Sequence, residues 1–227
     1  MDLMKKVTKA VRNIGGCILI SLALPLIAHG QPSVYFKVDA GGNLTSDTDL
    51  KEFFGQGVAG AKVKFDPGYR FGVGGGYEVC QFFAVEGEIG SYGNNIKSIT
   101  GAQRVDAAFF NIPFLVNLKL MGPRNWFVRP YIGGGAGGSA SVLSVDHIDR
   151  GALHLDGTDS DVVFAYQGFA GLRFRINDEM GLAIEYRYFH ADAPSWHADF
   201  DTFLASDQLK FGRSETHSLS VVFDWHF

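Results

Sequence analysis

The sequence is poor in cysteine, with two in 227 residues. Cys17 falls in an N-terminal segment that we expect to be removed on export, which leaves Cys80 alone in the mature chain. An intrachain disulfide is therefore excluded. We expect Cys80 to be a packed or turn-adjacent thiol and not a reactive one.

The sequence also lacks a long hydrophobic run. A bilayer-spanning helix needs roughly 18 to 20 consecutive apolar residues, and no stretch of that length follows residue 30. The apolar stretch at residues 14–28 is shorter than this, and Pro25 interrupts it near its end. We therefore do not expect a transmembrane helix.

That short apolar stretch has the features of a secretory signal peptide. Four basic residues precede or open it: Lys5, Lys6, Lys9 and Arg12. Small residues, Ala28 and Gly30, stand at the −3 and −1 positions of a cleavage before Gln31. We predict a signal peptide at residues 1–30 and a single domain at residues 31–227.

Basic residues are scarce in the part of the chain that remains after cleavage. The whole sequence has 20 Lys and Arg against 24 Asp and Glu, a formal charge of −4. The first 30 residues hold four of the basic residues and one acidic residue, so the domain carries 16 basic against 23 acidic side chains. Because phosphate binding needs a basic surface, nucleic acid is not an expected partner.

Glycine and aromatic residues, in contrast, are abundant, with 29 Gly and 20 Phe. Strict alternation accompanies them, most clearly at residues 219–227. Apolar side chains occupy every second position there: Leu219, Val221, Phe223, Trp225 and Phe227. Successive side chains of a strand face opposite sides. This stretch is therefore predicted to be a strand with one apolar and one mostly polar face.

Similar alternation predicts eight strands in all. We place them at residues 34–40, 67–79, 83–92, 105–120, 126–142, 162–176, 180–188 and 219–227. The connections alternate in length. Four are long and read as loops, at residues 41–66, 93–104, 143–161 and 191–215, and three are tight turns. This pattern predicts an all-β fold, an eight-stranded antiparallel up-and-down transmembrane β-barrel with four long extracellular loops and three short periplasmic turns.

The polar faces of these strands carry nearly balanced charges. Seven cations and six anions share them: Lys37, Arg70, Lys119, Arg129, Arg173, Arg175 and Arg187 with Asp39, Glu78, Glu86, Glu88, Glu185 and Asp224. The interior of an eight-stranded barrel is just wide enough to be filled by side chains. Charges buried there must pair. We predict that these residues form a charge network that plugs the lumen.

The apolar faces carry the aromatic residues, several of them near strand ends. Trp and Tyr in such places lie at the two lipid–water interfaces of a membrane barrel. A secreted sandwich or a lipocalin-like barrel is the alternative, and it would need an apolar interior. Together with the signal peptide and the lack of cysteine pairs, the aromatic pattern favours lipid as the environment of the apolar face.

Several motifs resemble the opacity-type, OmpA-like family of outer-membrane β-barrels. They are FDPGYRFG at residues 65–72, GGGYE at 74–78, NIPFLVN at 111–117, PYIGGGAG at 130–137, EYRY at 185–188 and the terminal Phe227. The resemblance covers the chain from about Val34 to its end. It implies a monomer in the outer-membrane lipid of a Gram-negative-type envelope. It also implies that the barrel-assembly machinery reads the terminal aromatic residues Phe223, Trp225 and Phe227 as an insertion signal.

The family is functionally mixed, so the resemblance does not identify an activity. We expect a structural or surface-interaction role, in adhesion or envelope integrity, through the extracellular loops, whose host or environmental ligands the sequence does not specify. A narrow solute channel is the alternative.

A lipid A-modifying enzyme is a weaker alternative, for which the nearest motif is His190-Ala-Asp192 with Ser195 and His197. The His-x-Ser arrangement of an outer-membrane deacylase is absent there. The acidic stretch at residues 156–161 lacks the ordered spacing of a calcium loop. We therefore expect no catalytic residue, no cofactor and no metal site.

Overall fold

The computed structural model describes residues 33–53, 56–57, 60–100, 104–150, 153–197 and 208–227. The signal peptide expected at residues 1–30 lies outside these ranges. Thirteen β-strands occur within the described ranges: β1 (Ser33–Thr45), β2 (Thr48–Phe53), β3 (Gln56–Gly57), β4 (Lys62–Phe65), β5 (Gly68–Cys80), β6 (Phe83–Ile99), β7 (Arg104–Met121), β8 (Val128–Arg150), β9 (Leu153–Arg175), β10 (Met180–Ala191), β11 (Ser195–His197), β12 (Gln208–Phe211) and β13 (Ser214–His226). None of the described segments is a helix long and apolar enough to cross a membrane.

Eight of these strands close into a ring. Each of β1, β5, β6, β7, β8, β9, β10 and β13 pairs antiparallel with the next, and β13 returns to β1. The closing pair runs from Tyr35↔His226 to Thr45↔Thr216. Closure leaves no strand edge of the ring unpaired, which is what a barrel in lipid requires. The expected eight-stranded antiparallel barrel is confirmed.

The barrel strands are of unequal length. Pairing of β1 with β5 ends at Asn43↔Gly68, whereas the β8–β9 hairpin continues to Arg150↔Leu153. The wall formed by β6 to β9 therefore rises well beyond the rest of the ring. This tall side is where the additional strands attach.

We call the part of the ring nearest the tight turns, where all eight strands pair, the lower barrel. Its side chains alternate between a polar lumen and an apolar outer surface. Lys37 and Glu86 point inward and are buried, whereas Val116 and Ile132 point outward and are each 60% exposed. This is the reverse of a water-soluble barrel, in which the buried face is the apolar one. An apolar outer surface of this kind suits lipid.

The three tight turns lie at the end of the barrel where β1 begins and β13 ends. The turn after β9 is held by Asn177, whose Oδ1 accepts the backbone N–H of Glu179 at 2.9 Å and of Met180 at 2.6 Å. This side-chain acceptor replaces a backbone partner, as Asn commonly does in turns. The predicted short turns at this end are confirmed.

Two of the four expected loops are largely strand, and the prediction was wrong there. Residues 93–104 belong mostly to β6 and β7, and residues 143–161 belong mostly to β8 and β9. The alternation continues through them, but its polarity reverses. Leu143 and Val145 are buried inside, while Ser144 between them and Asp146 after them are polar. A search for apolar outward faces misses such strands.

The other two expected loops also contain strands. Residues 41–66 include β2, β3 and β4, and residues 191–215 include β11 and β12. These short strands form a sheet in the order β11–β12–β2–β4, which continues into β6 of the barrel. Each is only two to six residues long, too short for its alternation to stand out in the sequence. We call this sheet, with the outer ends of β6 to β9, the cap.

The cap has an apolar core of its own. Ten buried side chains form it: Leu50, Ala61, Val63, Ile96, Ile99, Ala107, Phe109, Leu143, Val145 and Phe211. They come from the short strands and from the inward faces of β6, β7 and β8. Burial of apolar side chains stabilises the cap in the way it stabilises a soluble domain.

Candidate functional site

The lumen of the lower barrel is filled by charged side chains. At its centre, Glu86 accepts hydrogen bonds from Lys37 Nζ at 2.6 Å and from Lys119 Nζ at 2.9 Å. The hydroxyl of Tyr35 donates to the same carboxylate. Lys119 also lies 4.2 Å from the centroid of the Tyr131 ring, so a cation–π contact supplements its ion pair.

A second carboxylate, Glu88, collects three cations. Lys37 Nζ lies 2.9 Å from Oε2, Arg70 Nη2 lies 2.8 Å from Oε1, and Arg187 also donates to Oε1. Asn117 Nδ2 adds a hydrogen bond to Oε2 at 3.1 Å. Glu88, on β6, therefore links side chains from β1, β5 and β10.

The remaining charges of those arginines are balanced by two further carboxylates. Arg70 Nε lies 2.9 Å from Asp39 Oδ2, and Arg187 pairs with Glu185. Glu185 also accepts the hydroxyl of Tyr131 at 2.9 Å. Side chains taken out of water need such partners, because an unpaired buried charge costs several kcal/mol. The pairing explains how so many charges are buried together.

Glycines on the inward face make room for the rings in this network. A Cβ at Gly76 would lie 2.3 Å from the Tyr35 ring, and one at Gly171 would lie 2.5 Å from the Tyr131 ring. Any larger residue would displace the tyrosines that donate to Glu86 and Glu185.

A second group of charges lies at the end of the barrel that carries the tight turns. Glu78 accepts Arg129 Nη1 at 2.8 Å and Arg124 Nε at 2.9 Å. On the opposite wall, Arg173 Nε donates to Asp224 Oδ1 at 2.8 Å, and His226 Nε2 lies 2.9 Å from the same oxygen.

Eleven of the thirteen residues expected in the lumen network are buried: Lys37, Asp39, Arg70, Glu78, Glu86, Glu88, Lys119, Arg129, Glu185, Arg187 and Asp224. Arg173 is half-buried, and Arg175 is exposed at the mouth of the lumen. The network also includes uncharged members that sequence reasoning did not name, among them Tyr35, Asn117 and Gln167. Each lies an even number of positions from a charged lumen residue on its own strand. This spacing in the sequence indicates that they also point inward.

Beyond the charged layer, the lumen holds aromatic and uncharged polar side chains. Tyr92 and Phe189 stack across it with ring centroids 4.7 Å apart. Asn43 and Asn94 follow, joined by a 2.7 Å hydrogen bond, and the cap core lies above them. The described part of the lumen is thus filled by side chains from the charge network to the cap.

The terminal aromatic residues lie on the outer surface at the tight-turn end. Trp225 and Phe227 stack at 5.4 Å between ring centroids, and Phe227 is 75% exposed. Phe223 lies one alternate position deeper on the same face and is partly exposed. The backbone N–H of Phe227 donates to Val34 O at 2.8 Å, which continues the closing β1–β13 pair.

His190 lies on the outward face of β10 and not in the lumen, and it is buried there. Its ring stacks on Tyr166 at 4.6 Å between centroids, with Nε2 3.5 Å from Asp192 and Nδ1 3.9 Å from Glu215. Ser195 is exposed on β11, and its backbone N–H donates to Asp161. The side chain of His197 lies outside the described residues. No serine or threonine among the described residues on the outer face of β10 and β13 stands beside His190 to serve as a nucleophile.

Acidic residues form no ion site in the described ranges. No group of three or more His, Cys, Asp and Glu side chains there could hold a metal ion. In the acidic stretch, Asp159 Oδ1 accepts the backbone N–H of the next residue, Ser160, at 2.7 Å. The side chain of Asp156 lies outside the described residues.

Comparison with protein families gives one match that spans nearly the whole chain. Residues 18–227 match the model of the outer membrane protein beta-barrel domain. No curated protein is significantly similar in sequence.

Three solved structures with a similar fold are distant in sequence. Outer membrane protein OprG from Pseudomonas aeruginosa is 16% identical, with a TM-score of 0.61 over 87% of this chain and 99% of that one. Neisserial surface protein A is 15% identical, with a TM-score of 0.52 over 86% and 97%. The outer membrane protease OmpT from Escherichia coli is 5% identical, with a TM-score of 0.54 over 86% and 97%. At these identities the likeness shows the fold alone.

Proposed function

Because the chain belongs to the outer membrane protein beta-barrel domain family, and so lies in the outer membrane, we propose that it acts there as a closed barrel that presents a surface-interaction platform. The observation that carries the proposal is the cap. The short strands β11, β12, β2 and β4 lie in regions expected to be loops. They are paired into a sheet with a buried core. A preformed surface binds a partner without first paying the entropy of ordering loops.

Specific contacts fix the cap to the barrel. Thr48 Oγ1 donates to Arg213 O at 2.8 Å, and the backbone N–H of Gly212 donates to Asp49 O at 2.7 Å. The backbone N–H of Ser46 donates to Glu215 O at 2.8 Å. These bonds join the segment after β1 to the segment before β13.

A cell-surface assay tests the role of the cap. The full chain and a variant with residues 46–67 replaced by a short Gly-Ser turn are expressed in a non-adherent Gram-negative host. Adherence to a cultured epithelial monolayer and growth in detergent are then measured at equal outer-membrane levels. We expect the full chain to raise adherence or detergent resistance, and the variant to lose that gain. No gain with the full chain would refute the proposal.

A narrow solute channel is the second candidate, since the lumen keeps a cavity open at the tight-turn end. Against it stand the buried ion pairs around Glu86 and Glu88 and the apolar layer of Tyr92 and Phe189. We propose that these layers act as a plug.

The proposal includes no catalysis. The support is that His190 faces two carboxylates and a tyrosine ring, with no serine or threonine beside it among the described outward residues of β10 and β13. Mass spectrometry of lipid A from expressing cells checks this point. Unchanged lipid A is the expected result, and loss or gain of an acyl chain would overturn it.

A further inference from the structure

The tight-turn end of the lumen holds a cavity of about 200 Å³ that is rich in arginine. Its lining consists of Ser33, Glu78, Arg124, Arg129, Arg173, Arg175, Asp178 and His226. We propose that this arginine cavity binds a small oxyanion, a carboxylate or a phosphate, that enters from the periplasm. This site is separate from the cap and from the surface role proposed above.

The four guanidinium groups differ in how much of their hydrogen-bonding capacity is used. Arg129 is fully engaged, with Nη1 on Glu78, Nε on Gly122 O at 2.8 Å and Nη2 on Gln81 O. Arg124 donates to Glu78 through Nε and Nη2. These two arginines form one side of the cavity, with Glu78 between them.

Arg173 and Arg175 supply the donors that face the opening. Arg173 uses Nε and Nη2 on Asp224, while its Nη1 has no hydrogen-bond partner among the described residues. Arg175 is exposed, and no described residue accepts a hydrogen bond from its side chain. Alternate residues of a strand share a face and lie about 6.6 Å apart along it. Two guanidinium groups at that spacing can grip one carboxylate or phosphate from two sides.

The position of Arg173 is set by its surroundings. Asp224 binds its Nε at 2.8 and 3.0 Å, which fixes the plane of the guanidinium group. Gly181 on the neighbouring strand leaves the space that the group occupies, since a Cβ there would lie 2.4 Å from Nε. Arg173 is therefore held in place before any ligand arrives, which lowers the entropic cost of binding.

Charge and size both suit a small anion. Of the side chains that line the cavity, four are arginines and two are carboxylates, Glu78 and Asp178, while Asp224 pairs with Arg173. One water molecule needs about 10–15 Å³ of such a cavity. The volume therefore holds one oxyanion and several waters, and it excludes a folded domain. The negative charge of Asp178 opposes anion binding, so removal of that charge should strengthen binding.

Two sources of the same chemistry reach this end of the barrel: free inorganic phosphate and the carboxylates of peptidoglycan peptides. Purified full-length protein in detergent micelles is titrated separately with inorganic phosphate and with a soluble muropeptide, and binding is followed by calorimetry. Binding of either ligand supports the proposal, and the stronger one identifies the source. Failure of both to bind overturns it.

Three variants locate the binding. Arg175→Gln removes the exposed donor fork, and Gly181→Ala displaces Arg173 with little change in the barrel. Each is expected to weaken binding about tenfold, the effect of losing one charge-assisted hydrogen bond. Asp178→Asn is expected to strengthen binding. Arg213→Gln, an exposed arginine on the cap side, is the matched control and should have no effect.

Equal weakening by Arg213→Gln would mean that the anion responds to overall charge and not to the cavity, and it would overturn the proposal. Unchanged affinity in both Arg175→Gln and Gly181→Ala would do the same. Heat-modifiable migration of each variant on a gel shows that its barrel is folded, so a loss of binding can be assigned to the cavity. Cell adherence should be unaffected by these variants, which separates this site from the surface role.

Discussion

Strands β6 to β9 run through both the lower barrel and the cap, and their side chains have opposite polarity in the two regions. In the lower barrel, Val116 on β7 faces outward and is 60% exposed, and charged residues fill the inside. In the cap, Leu143 on β8 faces inward and is 3% exposed, and polar residues face outward. The change occurs along continuous strands. Alternation of polar and apolar side chains therefore indicates a strand. Whether the apolar face points outward or inward depends on whether lipid or water surrounds that part of the barrel.

The two regions also differ in what holds their interiors together. The lower barrel depends on ion pairs, each of which needs its partner because a lone buried charge is costly. The cap depends on apolar packing, in which the loss of one side chain leaves a cavity but no unpaired charge. A single substitution should therefore have a global effect in the lower barrel and a local effect in the cap.

The largest effect is expected from Glu88→Gln. This change removes the charge that Lys37, Arg70 and Arg187 share, and breaking a buried ion pair costs about 3–5 kcal/mol. Urea unfolding of the purified barrel in lipid vesicles, followed by tryptophan fluorescence, measures the loss.

The matched control is Lys97→Ala, which breaks an exposed pair with Asp66 at 3.8 Å. Exposed pairs contribute about 0–1 kcal/mol. If Glu88→Gln costs no more than this control, the ion-pair network does not stabilise the lower barrel.

In the cap, Leu50→Ala is expected to cost about 2–5 kcal/mol, the usual range for a fully buried leucine. The effect should remain in the cap. Faster hydrogen exchange in β2 and β4, with unchanged exchange in β1 and β13, is the expected pattern. Equal acceleration in both regions would show that they unfold as one unit.

A charge placed on the outer face tests the reversal of polarity directly. Val116→Arg puts a cation on the lipid face, at an expected cost of about 2–4 kcal/mol near the bilayer midplane. Asn95→Arg puts the same side chain on an exposed outward position of β6 near the cap and should cost about 0–0.5 kcal/mol. Similar costs at the two positions, measured by urea unfolding in vesicles, would contradict the division into two regions.

The smallest effect on the folded barrel is expected from deletion of Phe227. Its exposed ring contributes little to packing, and we propose, as the family resemblance implies, that the barrel-assembly machinery recognises it. We expect the deletion to lower the amount of protein in the outer membrane of expressing cells. Refolded purified protein should keep its stability.

Phe127→Ala, which removes an exposed aromatic ring at the same end, is the control for that deletion. Its outer-membrane level should match that of the unaltered protein. Normal levels of the Phe227 deletion would exclude a role in insertion.

Sequence alternation predicted the lower barrel because each strand there repeats one rule over many residues. Phe223, Trp225 and Phe227 face outward, while Asp224 faces inward as expected. The cap was missed because its rule is reversed and its strands are short. Leu50 and Phe211, for example, lie in strands of six and four residues, and only their pairing across the sheet makes them part of a core.

Within the lumen, sequence indicates which side chains point inward but not which of them meet. Glu88 and Arg187 are 99 residues apart and contact only because the barrel closes. Arg175 has the parity of a lumen residue, yet it lies beyond the end of the charged layer and is exposed. The odd or even position of a residue in its strand determines whether its side chain points into the lumen or outward. Its depth in the lumen depends on where the strand begins and on the tilt of the strands.

We propose that the charge network and the apolar layers above it close the lumen. Single-channel recording of the purified full chain in a planar bilayer tests this closure. We expect no steady conductance for the unaltered protein at neutral pH. Steady openings whose size depends on the solute would contradict the claim, and the channel function would then replace the closed barrel proposed here.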